Sequence, residues 1–199
     1  VILEANLDDI NPEWLGFLMD RLFRSGALDV VFLDVDSDRD LDAILALESE
    51  PNRLYLNDGK GKFTNESAQR LPQVVHDSED IAIGDFDKDG DLDVVVSVDN
   101  HNSESSTDAV YWYENRVNKK LSWVRHTIEY NVPNAYHIGE MDSADVDGDG
   151  KMDIVVRHLG THRFVIYFQN SADSWTPRRL NTRPREGLKL ADLDGNNRV

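Results

Sequence analysis

Cysteine is absent from these 199 residues, which excludes a disulfide framework and any thiolate metal site. No apolar run approaches the roughly 18 residues that a membrane-spanning helix requires. Basic residues are scarce: 21 Lys and Arg stand against 38 Asp and Glu, a formal charge of −17. Phosphate binding needs basic patches, so nucleic acid is not an expected partner. There is no phosphate-cradling glycine loop and no nucleophile elbow, and no acidic pair sits in a glycosidase motif, so an enzyme is not expected. The sequence opens on Val1 without a signal peptide and stops inside a repeated motif, and therefore reads as a piece of a longer protein.

The acidity that is present is patterned. Asp85, Asp87 and Asp89 occupy positions 1, 3 and 5 of a nine-residue stretch, with Gly90 at position 6, Asp91 at 7 and Asp93 at 9. Alternate carboxylates on a tight turn converge on one point, the glycine permits the reversal, and residue 7 offers its backbone carbonyl. That many hard oxygen donors suits Ca²⁺ better than Mg²⁺, which keeps its waters. An EF-hand would place Glu at position 12 and a helix on each side; here position 12 is Val96, within Val94-Val95-Val96-Ser97-Val98, so the loop feeds a β-strand.

The stretch recurs. Asp145, Asp147, Asp149, Gly150, Lys151 and Asp153 repeat it before Ile154-Val155-Val156. Asp34, Asp36, Asp38 and Asp42 repeat it with Arg39 in place of glycine, so that Arg39 must take an unfavourable backbone angle or reshape the turn. Asp192, Asp194 and Asn196 begin a fourth copy. Between first positions the steps are 51, 60 and 47 residues (34 to 85, 85 to 145, 145 to 192). Self-similarity at that period, with strand-like segments between the copies, predicts a propeller. Asp34, Asp36, Asp38, Asp40 and Asp42, Asp85 to Asp93, Asp145 to Asp153 and Asp192 with Asp194 hold 16 of the 38 acidic residues. Bound divalent ions would offset much of the charge.

Ile83-Gly84-Asp85-Phe86-Asp87-Lys88-Asp89-Gly90-Asp91-Leu92-Asp93 and Ser143-Ala144-Asp145-Val146-Asp147-Gly148-Asp149-Gly150-Lys151-Met152-Asp153 resemble FG-GAP/VCBS repeats, the blades of integrin-α-type β-propellers. The resemblance covers about residues 32–199. It implies a structural Ca²⁺ in each loop, blades of four antiparallel strands, and an extracellular or cell-surface setting. The expected fold is mainly β: a partial propeller of three to four blades with Asp-rich calcium loops, preceded by a short strand-helix segment over 1–31.

That N-terminal segment stands outside the repeat. Val1 to Leu3 are strand-like, Asn11-Pro12 is a helix start, and Trp14, Leu15, Leu18, Met19, Leu22 and Phe23 share one helical face that Gly26 terminates. Glu4-Ala5-Asn6-Leu7-Asp8-Asp9-Ile10-Asn11-Pro12-Glu13, with Leu18, Arg21-Leu22 and Gly26 to Val30, is similar to the C-terminal domain of the nickel-insertion proteins that complete the nickel-pincer nucleotide of lactate racemase. In that family the segment belongs to a ferredoxin-like α+β domain. Here the calcium repeat replaces its continuation, which points to a fused remnant with a junction near Val30 to Leu33.

Three further expectations follow. Tyr111, Trp112, Tyr113, Trp123 and Trp175 read as core and cross-strand packing before a sugar-stacking platform. His158 and His162, with Gly160 between them, do not read as a transition-metal pair. An open arc of blades exposes a sheet edge and an apolar face, which predicts self-association, with the helix at 12–25 over part of the N-terminal edge. The function so read is a calcium-binding, non-catalytic module that binds a protein or polysaccharide ligand. The alternatives are an accessory part of a polysaccharide-active enzyme or a remnant of a nickel-insertion protein.

Overall fold

The computed structural model describes residues 22–24, 26–99, 108–117, 121–130, 138–158, 163–182 and 187–192. Within them the chain is mainly β, a partial propeller. Each blade begins with an inner strand, turns through an Asp-rich loop, and continues outward through three antiparallel strands. Blade one is β1 (Ala27–Leu33), β2 (Asp42–Leu47), β4 (Arg53–Leu56) and β5 (Thr64–Asn65). Blade two is β7 (Ser78–Gly84), β8 (Asp93–Val98), β9 (Ala109–Glu114) and β10 (Val124–Tyr130). Blade three is β11 (Ile138–Ala144), β12 (Asp153–His158), β13 (Arg163–Ser171) and β14 (Ser174–Leu180). The short strands β3 (Glu50–Pro51) and β6 (Val75–His76) pair with each other between the first two blades. β1 runs through residue 31, where the sequence suggests a boundary. The stretch 65–80, which reads as a polar connection, contains β6, the start of β7 and a single helical turn at Ser67–Arg70.

The second strand of every blade is buried along its whole length. A strand covered on both faces has no solvent side, so it reads as a continuous apolar run instead of an alternation. Its two faces serve different interfaces. Val94, Val96 and Val98 join Leu33, Val35, Ile44, Ala46 and Leu54 between blades one and two. Val95 joins Met141, Ile154, Val156, Val165 and Tyr167 between blades two and three. β9 alternates in the same way: Tyr111 and Tyr113 lie in the first cluster and Trp112 in the second. Trp123 is also buried and Trp175 is partly buried against the second cluster, so the aromatics are core, as their alternation predicts.

The face of blade one turned away from blade two, built from Ala27, Val30, Ala43, Leu45 and Leu47, is buried as well. Leu22, in the helical stretch 22–24, packs against it. The remainder of the helix expected at 12–25, the strand at 1–3 and His162 lie outside the described residues.

Inner strands of neighbouring blades run side by side and are joined by carboxylates. Asp29 in β1 accepts a hydrogen bond from the Ile81 amide in β7 at 3.1 Å. Asp80 in β7 accepts one from Met141 in β11 at 2.7 Å. Asp142 in β11 accepts one from Leu190 at 2.8 Å, so the start of the fourth repeat docks as the earlier blades do.

Candidate metal centres

Each loop between the first and second strands gathers three carboxylates. Asp34, Asp36 and Asp42 form one group, Asp85, Asp87 and Asp93 a second, and Asp145, Asp147 and Asp153 a third; within each, the oxygens lie within 4.8 Å of one another. These are positions 1, 3 and 9. The position-5 residues Asp38, Asp89 and Asp149 are exposed and lie outside the groups. Their Oδ1 atoms accept hydrogen bonds from the amides of Asp40, Asp91 and Lys151 at 3.1, 3.0 and 2.9 Å. At position 7 Asp91 and Lys151 are half-buried, and the Lys151 ammonium pairs with Asp149. Of the fourth copy, Asp192 is described and half-buried, whereas Asp194 and Asn196 fall outside the described residues.

Backbone amides build the loops around their carboxylates. The position-1 residues Asp34, Asp85 and Asp145 accept from the amides of Arg39, Gly90 and Gly150 at 3.0, 3.1 and 2.8 Å. To aim those amides inward, the chain turns through left-handed φ at positions 4 and 6: Ser37 (61°) and Arg39 (76°), Lys88 (63°) and Gly90 (94°), Gly148 (79°) and Gly150 (83°). Arg39 therefore keeps the turn and bears the unfavourable angle. A side chain in this region costs about 1–2 kcal/mol, and no neighbouring atom obstructs a Cβ at Gly90 or Gly150. Arg39→Gly is expected to stabilise the chain by about 1 kcal/mol, a rise of roughly 2–4 °C in unfolding midpoint, measured in a thermal melt.

Position 9 begins the buried second strand and is the electrostatic centre of each loop. Asp42, Asp93 and Asp153 are 1 %, 0 % and 1 % exposed. Burial pushes the Asp93 carboxyl up to about 8, the charges of Asp87 and Asp89 adding to the effect and the amides of Asn115 and Phe86 opposing it. Burial likewise raises Asp42 to about 6 and raises Asp153. Asp36 is raised by burial and by the charges of Asp38 and Asp34. In addition, Asp36 Oδ1 and Asp85 Oδ1 are buried atoms without a hydrogen-bond partner. Closely spaced acidic oxygens with unused lone pairs fit a hard cation, whose charge reverses these shifts by favouring the ionised form.

A residue that the loop pattern does not reveal completes each site. Asn57, Asn115 and Gln169, at the outer end of the third strand, donate their backbone amides to Oδ1 of Asp42, Asp93 and Asp153 at 2.8, 2.7 and 2.9 Å. Other acidic residues cluster away from the loops. Half-buried Glu79 lies near Asp77, Glu48 and Glu140, and burial with their charge raises it to about 7. Among the described residues, only the three loops bring three such ligands together.

Two family models match this chain. A family model described as the FG-GAP-like repeat matches residues 25–96 and 97–156, which is 132 of the 199 residues. A second, for nickel insertion protein, matches residues 1–39. Two proteins assigned by name to nickel insertion, from Geotalea daltonii and Syntrophotalea carbinolica, are 72 % identical over 32 residues and 68 % identical over 31. The pyridinium-3,5-bisthiocarboxylic acid mononucleotide nickel insertion protein of Acetivibrio thermocellus is 59 % identical over 34 residues. These alignments take in 16–17 % of this chain and 8 % of each relative. With three four-stranded blades, Asp-rich loops between the first two strands of each, and a match across two-thirds of its length, the chain belongs to the FG-GAP-like repeat family.

Proposed function

We propose that this chain is a calcium-binding β-propeller module, non-catalytic, that presents a protein or polysaccharide ligand surface within an extracellular protein. One observation carries the calcium reading: the same three carboxylates, at positions 1, 3 and 9, converge in three successive loops. Asp34, Asp36 and Asp42, Asp85, Asp87 and Asp93, and Asp145, Asp147 and Asp153 would hold the ions, and Asp192 belongs to a fourth site. The ion supplies positive charge at the point where each blade turns from its inner strand into its buried one. Its role is to hold the loop closed and keep the position-9 carboxylate ionised.

An extracellular setting accords with the repeat family. No helix among the described residues is long and apolar enough to cross a membrane. The match of residues 1–39 to nickel insertion protein favours a second reading for that stretch alone, as a remnant joined to the propeller. The Asp triads themselves are oxygen-only donor sets, which suit Ca²⁺ over nickel.

The test is a titration of the full chain with CaCl₂ and, separately, MgCl₂, followed through the amide resonances of Gly90 and Gly150. Saturable shifts of both amides with calcium, and none with equimolar magnesium, are expected. An equal response to both ions, or none, would remove the calcium assignment.

A further inference from the structure

We infer that the ion loops of neighbouring blades are coupled through a buried relay of hydrogen bonds, with Asn115 and Gln169 as the positioning residues that carry the coupling. The inference rests on the calcium reading above and adds to it a regulation of the same loops: occupancy of one raises the affinity of the next.

The relay is continuous through all three blades. Asp42 Oδ2 accepts from the Val35 amide at 3.0 Å. The Val35 carbonyl accepts from Asn115 Nδ2 at 2.8 Å, which crosses from blade two to blade one. The Asn115 amide donates to Asp93 Oδ1 at 2.7 Å, and Asp93 Oδ2 accepts from the Phe86 amide at 3.0 Å. The Phe86 carbonyl accepts from Gln169 Nε2 at 2.8 Å, crossing from blade three to blade two. The Gln169 amide donates to Asp153 Oδ1 at 2.9 Å, and Asp153 Oδ2 accepts from Val146 at 2.9 Å. From Asp42 to Asp153 no member is more than 3 % exposed.

Two features make this a coupling path in addition to a set of packing contacts. First, its carboxylates are the position-9 members of the ion triads, and its peptides are position 2, flanked on either side by the ligands at positions 1 and 3. A cation on loop two fixes Asp93, which fixes the backbone of Asn115. The Asn115 side chain then holds the Val35 peptide, between Asp34 and Asp36. Second, water cannot substitute for a broken link at this burial, so each junction is either made or left as an unsatisfied polar pair. An ion that orders one loop thereby reduces the ordering left for its neighbour, which is positive cooperativity without a change of shape. Asn57, the counterpart in blade one, donates its backbone amide to Asp42 in the same way, but its side-chain oxygen accepts from Gly61 at 3.2 Å within its own turn. The relay as described therefore runs between loops one and three.

The test reads each loop separately in the full chain, with CaCl₂ as the probe and the amides of Arg39, Gly90 and Gly150 as reporters of loops one, two and three. Asp147 is exposed, so Asp147→Asn weakens loop three without disturbing the buried relay itself. Calcium affinity at Gly90 is expected to fall about fivefold in that variant, and at Arg39 by less, because the effect passes through a further blade. In Gln169→Met, which keeps the volume and removes the donor, Asp147→Asn should leave the Gly90 isotherm unchanged. A Gly90 isotherm indifferent to Asp147→Asn overturns the relay while the calcium reading stands. Equal losses at Gly90 and Arg39, or a loss that persists in Gln169→Met, also overturn it. Absence of any calcium response in the unmodified chain removes the calcium reading and the relay with it.

Discussion

Chelation of calcium is expected to lower the thermal unfolding midpoint of the full chain by roughly 15–30 °C. An ion held at about 100 times its dissociation constant stabilises the folded state by about 2.7 kcal/mol, and three such sites give about 8 kcal/mol. For a chain of this length each kcal/mol moves the midpoint by about 2–4 °C. The loops give that linkage its structural cause: with no cation present, Asp42, Asp93 and Asp153 are buried among other carboxylates, and their acid groups are held above the ordinary range mainly by burial. A bound ion removes the cost of ionising them in place. Differential scanning in excess calcium, in excess magnesium and in chelator distinguishes the cases. Calcium alone should restore the high midpoint. A shift of only a few degrees on chelation would mean that the amide hydrogen bonds hold the turns without an ion.

Most of the fold can be read from residue order because its two strongest rules are local. The buried second strands announce themselves as Val94 to Val98 and Ile154 to Val156, and the loops before them announce themselves by alternate Asp. Arg39 was legible too: the turn needs a left-handed residue at position 6, and the structure shows Arg39 in that conformation at 76°. The amides that meet the position-9 carboxylates were not legible. Asn57, Asn115 and Gln169 follow their position-9 Asp partners by 15, 22 and 16 residues, because the β8–β9 connection is longer than the others. A fixed-spacing search misses them. A rule based on strands finds them, since each is the first polar amide at the outer end of the third strand, after Leu54-Tyr55-Leu56, Trp112-Tyr113-Glu114 and Tyr167-Phe168. The inner-strand carboxylates Asp29, Asp80 and Asp142 were hidden for a different reason. In so acidic a sequence a single Asp carries little information, and only the neighbouring blade's amide shows its use. Position 5 is as regular in the motif, and Asp38, Asp89 and Asp149 accept hydrogen bonds from the turn's own backbone.

Asp93→Ala is expected to be the most damaging single substitution in the loops, costing about 5 kcal/mol in calcium. Its carboxylate does three things at once: it belongs to the loop-two triad, and its two oxygens accept from the buried amides of Phe86 and Asn115. Loss of one ion site removes about 2.7 kcal/mol, and two buried amides left without acceptors add at least about 1 kcal/mol each. In chelator the cost should shrink. There the carboxyl is pushed up to about 8 by burial, so its ionised form is already unfavourable near neutral pH, and deleting it relieves that penalty while still orphaning the amides. Asp93→Asn should fall between, because its amide oxygen can accept from only one of the two donors. Asp89→Ala is the contrast. Its carboxylate is exposed and accepts from the Asp91 amide in a hydrogen bond open to solvent, so without calcium its cost should stay within about 0.5 kcal/mol. Urea unfolding in calcium and in chelator gives all of these from shifts in midpoint at constant slope. A loss at Asp93→Ala no larger than at Asp89→Ala would mean that the buried carboxylate is not the centre on which ion, loop and neighbouring blade converge.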